Sequence, residues 1–125
     1  MKENQDKTTK YDLEDRLIEF ASRIIDVVEA LPNTVAGKHI AGQLVRSGTS
    51  PAFNYGEAQA AESRDDFIHK MKISLKELRE TFVCLKLITK RKYFPEEKLN
   101  PLLQENNELI SIFVKSIGTA KNNKD

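Results

Sequence analysis

From Leu13 to Ile117 the apolar residues of this sequence recur at intervals of three and four, and no window alternates with a period of two. Such intervals bring side chains onto one face of an α-helix, whereas alternation would mark a half-buried strand. The hardest test of this pattern is residues 47–58, SGTSPAFNYGEA, inside a segment running from about Val35 to Ala61. A proline in a helix interior removes one hydrogen bond and costs about 3 kcal/mol, so Pro51 could end the helix. The register, however, does not reset there. Ile40, Leu44, Ser47 or Gly48, Pro51 or Ala52, Tyr55 and Ala58 keep their spacing straight through. This predicts one helix with a kink at Pro51, eased by Gly48 and by the hydroxyls of Ser47, Thr49 and Ser50, which can bond nearby carbonyls.

Three further helices follow from the same reading. Leu13, Leu17, Phe20, Ala21, Ile24, Val27, Val28 and Leu31 form the first face, ended by Pro32 and Asn33. Arg64 to about Thr89 repeats the pattern, with Ser63 as N-cap and Asp65 and Asp66 in a first turn where carboxylates complement the helix dipole. The last helix starts near Pro95 or Pro101, Asn100 and Pro101 making a suitable cap and first-turn pair. Short connections near residues 32–34, 61–63 and 92–95 favour antiparallel neighbours. The expected fold is all-α: an antiparallel up-down-up-down four-helix bundle over residues 12–120, with flexible tails at 1–11 and 121–125.

A chain of 125 residues suits one domain with one core. No apolar run approaches the roughly 20 residues that span a bilayer, and the polar start MKENQDKTTK does not resemble a signal peptide, so no membrane association and a cytoplasmic location are expected. Cys84 is the only cysteine and His39 and His69 the only histidines. No zinc-ligand spacing can be built from them. The Glu-x-x-His motif of di-iron bundles is missing, and so is a phosphate loop of strand, glycine-rich turn and Lys-Ser or Lys-Thr. Cys84 lies beside the apolar seam with no histidine nearby in sequence, which points to a buried inert thiol. The carboxylate pairs Asp65–Asp66 and Glu96–Glu97 fall in first turns, where the dipole accounts for them without acid–base chemistry. These observations predict a non-enzymatic protein with no cofactor, no metal and no small-molecule substrate.

Two features of the second segment carry more information. Small residues are dense there (Ala41, Gly42, Gly48, Ala52, Gly56, Ala58, Ala60, Ala61), and their ordinary role is to let helices approach within the bundle. Arg46, Ser50, Asn54 and Glu57, spaced by four, four and three, share one helix stripe. The stripe reads first as a partly buried, mutually satisfied polar network that sets helix register, and second as a ligand or oligomer contact.

The order QLVRSGTSPAFNYGEA followed by SRDDFIHKMKISLKEL resembles the bacterial four-helix bundle family named for proteins encoded by intervening sequences in 23S ribosomal RNA genes. The resemblance is carried by Gln43, Leu44, Arg46, Ser50, Pro51, Asn54 and Glu57, then by Ser74, Leu75, Glu77 and Leu78, and it covers about Leu13 to Ile117. Ala58 and Ile73 depart from the usual small-residue pattern. The resemblance implies a left-handed antiparallel bundle. It also implies kinship with the accessory variability determinant of diversity-generating retroelements, hence a homopentamer that binds nucleic acid.

The net charge of +1 conceals a strong separation. Residues 12–30 carry six acids (Asp12, Glu14, Asp15, Glu19, Asp26, Glu29) against two arginines, a balance of −4. Residues 69–92 carry eight cations against Glu77 and Glu80, a balance of +6. Taken with the nucleic-acid binding that the resemblance implies, this makes Lys72, Lys76, Arg79, Lys86, Lys90, Arg91 and Lys92 the expected contacts to RNA or DNA. Tyr93 and Phe94 could stack on bases, although packing against the bundle end accounts for them as well. In the competing reading the basic helix faces an acidic one, within the bundle or across a subunit boundary, and the protein is an assembly scaffold with no nucleic-acid partner. For the KRK run at residues 90–92, complementing the dipole at a helix C-terminus is the simpler role.

Overall fold

Four helices account for nearly all of the chain that the computed structural model describes, residues 11–123. They are α1 (Tyr11–Ala30), α2 (Val35–Gln59), α3 (Arg64–Arg91) and α4 (Glu96–Asn122), and no strand occurs among the described residues. Most of the expected N-terminal tail, residues 1–10, and the last two residues of the C-terminal one lie outside the described residues. Tyr11 already belongs to α1, and α4 runs on to Asn122, two residues into the expected tail.

Local chemistry explains the boundaries. Beyond α1, Leu31 N–H donates to the Val28 carbonyl at 3.3 Å and Pro32 follows. The Thr34 hydroxyl then caps α2 by accepting from Gly37 N–H at 3.0 Å. Gly37 permits this tight turn, because a Cβ there would run into the Pro32 carbonyl oxygen. Ser63 caps α3 by accepting from Asp66 N–H at 3.0 Å, as its position predicts. At the other end Lys92 closes α3 in the left-handed region, φ 60° and ψ 36°.

The start of α4 differs from the Asn100–Pro101 alternative. The helix begins at Glu96, after Pro95, and Pro101 lies in its second turn. A proline so near the N-terminus deprives only one carbonyl, that of Glu97, of its helical partner. Pro101 and Glu97 are both exposed, so water can take that place. The helix through Pro51 is likewise unbroken. Of the three hydroxyls expected to help, Thr49 does so, donating to the Val45 carbonyl at 2.6 Å.

Residue pairs between α2 and α3 run in opposite order along the chain. Glu57 meets Lys70, Asn54 meets Glu77, Ser47 meets Thr81 and the Ile40 carbonyl meets Cys84. The α1–α4 pair runs the same way, with Leu13 beside Ile112, Arg16 reaching Glu105 and Val27 beside Leu99. Each helix thus packs on its chain neighbours, α4 returns to α1, and α1 and α3 occupy opposite corners. The core between them is filled by fully buried Leu17, Phe20, Ile24, Leu44, Met71, Leu78, Leu85 and Phe113. Tyr55 meets Phe113 edge to face, with centroids 6.0 Å apart. Asn106 is the polar exception: wholly buried, it donates through Nδ2 to the Leu78 carbonyl at 3.1 Å while Oδ1 finds no partner.

Close approach of α1 and α2 depends on Gly48, where an added Cβ would stand 2.7 Å from Ile24 Cγ2 and 2.9 Å from Cγ1. These atoms belong to the stem of a core side chain and have little room to retreat. Gly48→Ala is therefore expected to lower stability by about 1–3 kcal/mol in urea unfolding. Gly118→Ala, where the new methyl meets open space, should raise it by about 0.5–1 kcal/mol.

Candidate nucleic-acid interface on α3

The side of α3 that faces away from the core is set by its buried residues. Met71, Ser74, Leu78, Thr81, Leu85 and Ile88 point inward, which leaves Lys72, Lys76, Arg79, Lys86 and Lys90 exposed on the opposite face. Eighteen residues separate the first and last of these, so the row is about 27 Å long. Arg91 and Lys92 extend it at the helix end and are also exposed. Among the described residues none of these seven cations has a carboxylate within ion-pairing distance. The two acids of the same stretch are turned elsewhere, Glu77 toward Asn54 and Glu80 toward Arg46. The Lys86 ammonium lies 5.5 Å from the Phe82 ring centroid and the Arg91 guanidinium 5.9 Å from that of Tyr93, contacts that steady the side chains without neutralising them. Lys90 and Arg91 also sit in the last turn, where cations complement the helix dipole. Tyr93 and Phe94 are half-buried against the core.

The acidic helix does not meet this row within the chain. Glu14, Asp15, Glu19, Asp26 and Glu29 are exposed on α1, across the bundle from α3, and none has a cation partner among the described residues. The strongest ion pair lies on another edge. Arg16 donates from Nε and Nη2 to both oxygens of Glu105, at 2.9 and 2.7 Å, and from Nη2 to Glu108 at 3.0 Å. These bonds raise the arginine pKa and tie α1 to α4. Nothing in the spacing of residues 89 apart signals such a pair.

The polar stripe of α2 is brought to the α3 edge, but its members do not satisfy one another. Asn54 donates to Glu77 Oε1 at 2.9 Å, Glu57 accepts from Lys70 at 2.9 Å, and Arg46 contacts Glu80 at 3.4 Å. Only Gln43, 3.4 Å from Arg46, is a partner on the same helix. Ser50 is half-buried and makes no side-chain hydrogen bond among the described residues, and Pro51 is buried. The register device is thus an inter-helix ladder. Its deepest rung is the pair of hydroxyls of Ser47 and Thr81, 2.9 Å apart and buried. Burial pushes the Glu77 carboxyl above its usual range, against the lowering effects of the Asn54 hydrogen bond and the Arg46 charge.

Of the residues weighed for catalysis, His69 is exposed and stands apart, whereas exposed His39 lines one open groove together with Cys84. Cys84 is half-buried, its thiol pKa pushed up by burial, and Sγ lies 4.0 Å from the Ile40 carbonyl oxygen. Among the described residues no group of three or more metal-ligating side chains occurs, and no helix is long and apolar enough to cross a membrane. The small residues divide into two sets. Gly48 and Ala58 pack inside, whereas Gly42 and Gly56 face open space. Beside them Phe53 is 72% exposed, Val45 also reaches solvent, and Ile18 and Ile25 emerge next to them from α1. Sequence reading passed over this outer apolar face, although its signal was present in apolar residues that fall outside the core register.

The model of a family described as 23S rRNA-intervening sequence protein matches residues 9–115. A crystal structure from Bacteroides thetaiotaomicron, described as a protein of unknown function from the S23 ribosomal protein family, superposes with a TM-score of 0.79. The two chains are 34% identical over 84% of this chain and 97% of that one. No curated protein matches the sequence.

Glu77 gives a test of the ladder by pH. Its folded-state pKa is raised, so the folded protein binds this proton more tightly than the unfolded chain, and the charged form costs stability that is recovered as pH falls through the folded pKa. A glutamine can still accept from Asn54 and carries no charge. Glu77→Gln is therefore expected to melt higher than the parent at pH 7, with the difference shrinking as the parent's carboxyl protonates on acidification. A gap in melting temperature that is independent of pH would remove Glu77 as its source.

Proposed function

The chain belongs to the 23S rRNA-intervening sequence protein family, and from that premise we propose that it is a non-enzymatic, self-assembling bundle that binds RNA or DNA along α3. The observation that carries this reading is the row of exposed cations, unpaired within the chain among the described residues. An ordinary solvated helix face mixes charges of both signs, and α3 turns its two midsection acids toward α2 instead. Phosphates bound along the row release condensed counterions, which makes the affinity steeply dependent on salt. The planar Arg79 guanidinium and the mobile lysines suit backbone contact without base readout, so discrimination would rest on shape. Assembly, with a pentamer as the resemblance implies, would repeat the row around the particle and convert weak single sites into tight binding.

The second reading, a scaffold without a nucleic-acid partner, draws its support from the exposed apolar residues Phe53 and Val83, since large apolar patches mark interaction surfaces. Salt titration separates the two. Binding of a structured RNA, and of a DNA duplex in parallel, should be strongest at roughly 50 mM salt and fall linearly in log–log form. Replacing Lys72, Arg79 and Lys86 by glutamine should lower the slope by about 2–3 while leaving the helical spectrum unchanged. No binding of either polymer at the lowest salt sinks the nucleic-acid reading and leaves the scaffold.

A further inference from the structure

The cation row does not stop at the end of α3. Its last helical lysine, Lys90, also borders an open groove of about 750 Å³ at the turn into α4, together with Lys92, Tyr93 and Phe94. Phe94 then borders a second, smaller opening of about 210 Å³, which it shares with Arg23 of α1 and Lys98 of α4. The turn thus presents two aromatic rings with cations in both openings. Each opening holds one acid against its two cations, Glu96 in the first and Asp26 in the second. Among the described residues none of the four cations has a carboxylate within ion-pairing distance.

Core packing accounts for only part of these rings. Tyr93 and Phe94 are steadied against the core, yet both stay partly exposed and both line the larger groove. Lys92, in the left-handed region at φ 60°, ends α3 and sends the chain on to the rings instead of continuing the helix. The Arg91 guanidinium lies 5.9 Å from the Tyr93 centroid, so charge and ring stand together. Rings of this kind cannot reach a base already stacked within a duplex, but they offer a plane to one that is not. Cations beside them supply the phosphate contacts. A purely apolar ligand would leave the four cations unused, and a simple anion would leave the rings unused.

We propose that the turn between α3 and α4 is a platform for unpaired nucleotides of a nucleic acid held along α3. Their bases stack on Tyr93 and Phe94, and their phosphates meet Lys90 and Lys92 in one opening and Lys98 and Arg23 in the other. This deepens the nucleic-acid reading above and rests on it. It names the form of the polymer: a duplex or hairpin with a single-stranded extension, in preference to a blunt duplex. Lys90 belongs both to the row and to the groove, so a strand that follows the row arrives at the rings. The stacking contribution is apolar and persists in salt, whereas the phosphate contacts weaken.

Three hairpins, each made in RNA and in DNA, test this with the full chain: one blunt, one with a short single-stranded extension containing 2-aminopurine, and one with an abasic extension of equal length. The abasic extension has the phosphates but no bases to stack. The parent should bind the extension with bases about 10-fold more tightly than the abasic one. That ratio should persist as salt rises and both affinities fall, and 2-aminopurine fluorescence should be quenched on binding. Tyr93→Leu with Phe94→Leu keeps apolar bulk against the core and should abolish the ratio and the quenching while binding the blunt hairpin as before. Lys98→Gln, at an exposed position outside the α3 row, should weaken binding of both extended hairpins and leave the blunt one unchanged. Equal affinity for the two extensions overturns the platform and leaves binding along α3 standing. A folded leucine variant that keeps the ratio does the same, as does a Lys98→Gln protein that binds all three hairpins like the parent. Failure of the parent to bind any hairpin at low salt overturns the nucleic-acid reading and the platform together.

Discussion

The architecture turns on two adjacent small residues in α2. Ser47 faces α3, where its hydroxyl meets that of Thr81, and Gly48 faces α1, where it lies against Ile24. Consecutive positions on a helix point about 100° apart, so one pair of residues can serve two neighbours at once. With bulk at either, α2 could approach only one of its partners closely. Pro51 lies one turn further on and removes the hydrogen bond to the Ser47 carbonyl. The buried hydroxyl pair and the cross-helix bonds of Asn54 and Glu57 hold the segments on either side of that gap against α3.

That arrangement also shows which parts of the fold could be read from sequence. Helix number, the Ser63 cap and continuity through Pro51 are local properties, expressed in spacing and in the chemistry of single residues. The start of α4 was less legible because Asn100–Pro101 has good local cap chemistry, and only burial of Leu99 and Leu102 on one face reveals that the helix is already under way. The stripe of Arg46, Asn54 and Glu57 was visible, but not its partners. Which α3 residue opposes Asn54 depends on the length of the 60–63 connection and on rotation of both helices, and neither is written in local spacing. The Arg16–Glu105 pair is hidden for the same reason, since it joins the two ends of the chain.

Net charge was the least informative of the bulk properties. A balance of +1 suggests an electrostatically bland molecule. Folding instead sends the acidic helix and the basic helix to opposite corners, with α2 and α4 between them. Separation across a bundle keeps the two fields from cancelling at the surface, and at physiological ionic strength screening over about 8 Å makes each face act locally. The ion pairs that do form, Arg16–Glu105, Lys70–Glu57 and Arg46–Glu80, lie on the α1–α4 and α2–α3 edges and leave both outer faces charged.

The outer face of α3 carries two kinds of side chain whose interactions respond differently to salt. Val83 and Leu87 are exposed among the cations of the same helix, and any contact they made would have an apolar centre that salt does not weaken. Contact of Lys72 or Lys86 with phosphate would instead be mostly counterion release, lost as salt rises. Ionic strength is therefore the variable that distinguishes what this one face can do, because it weakens the contribution of the lysines and leaves that of the apolar residues in place.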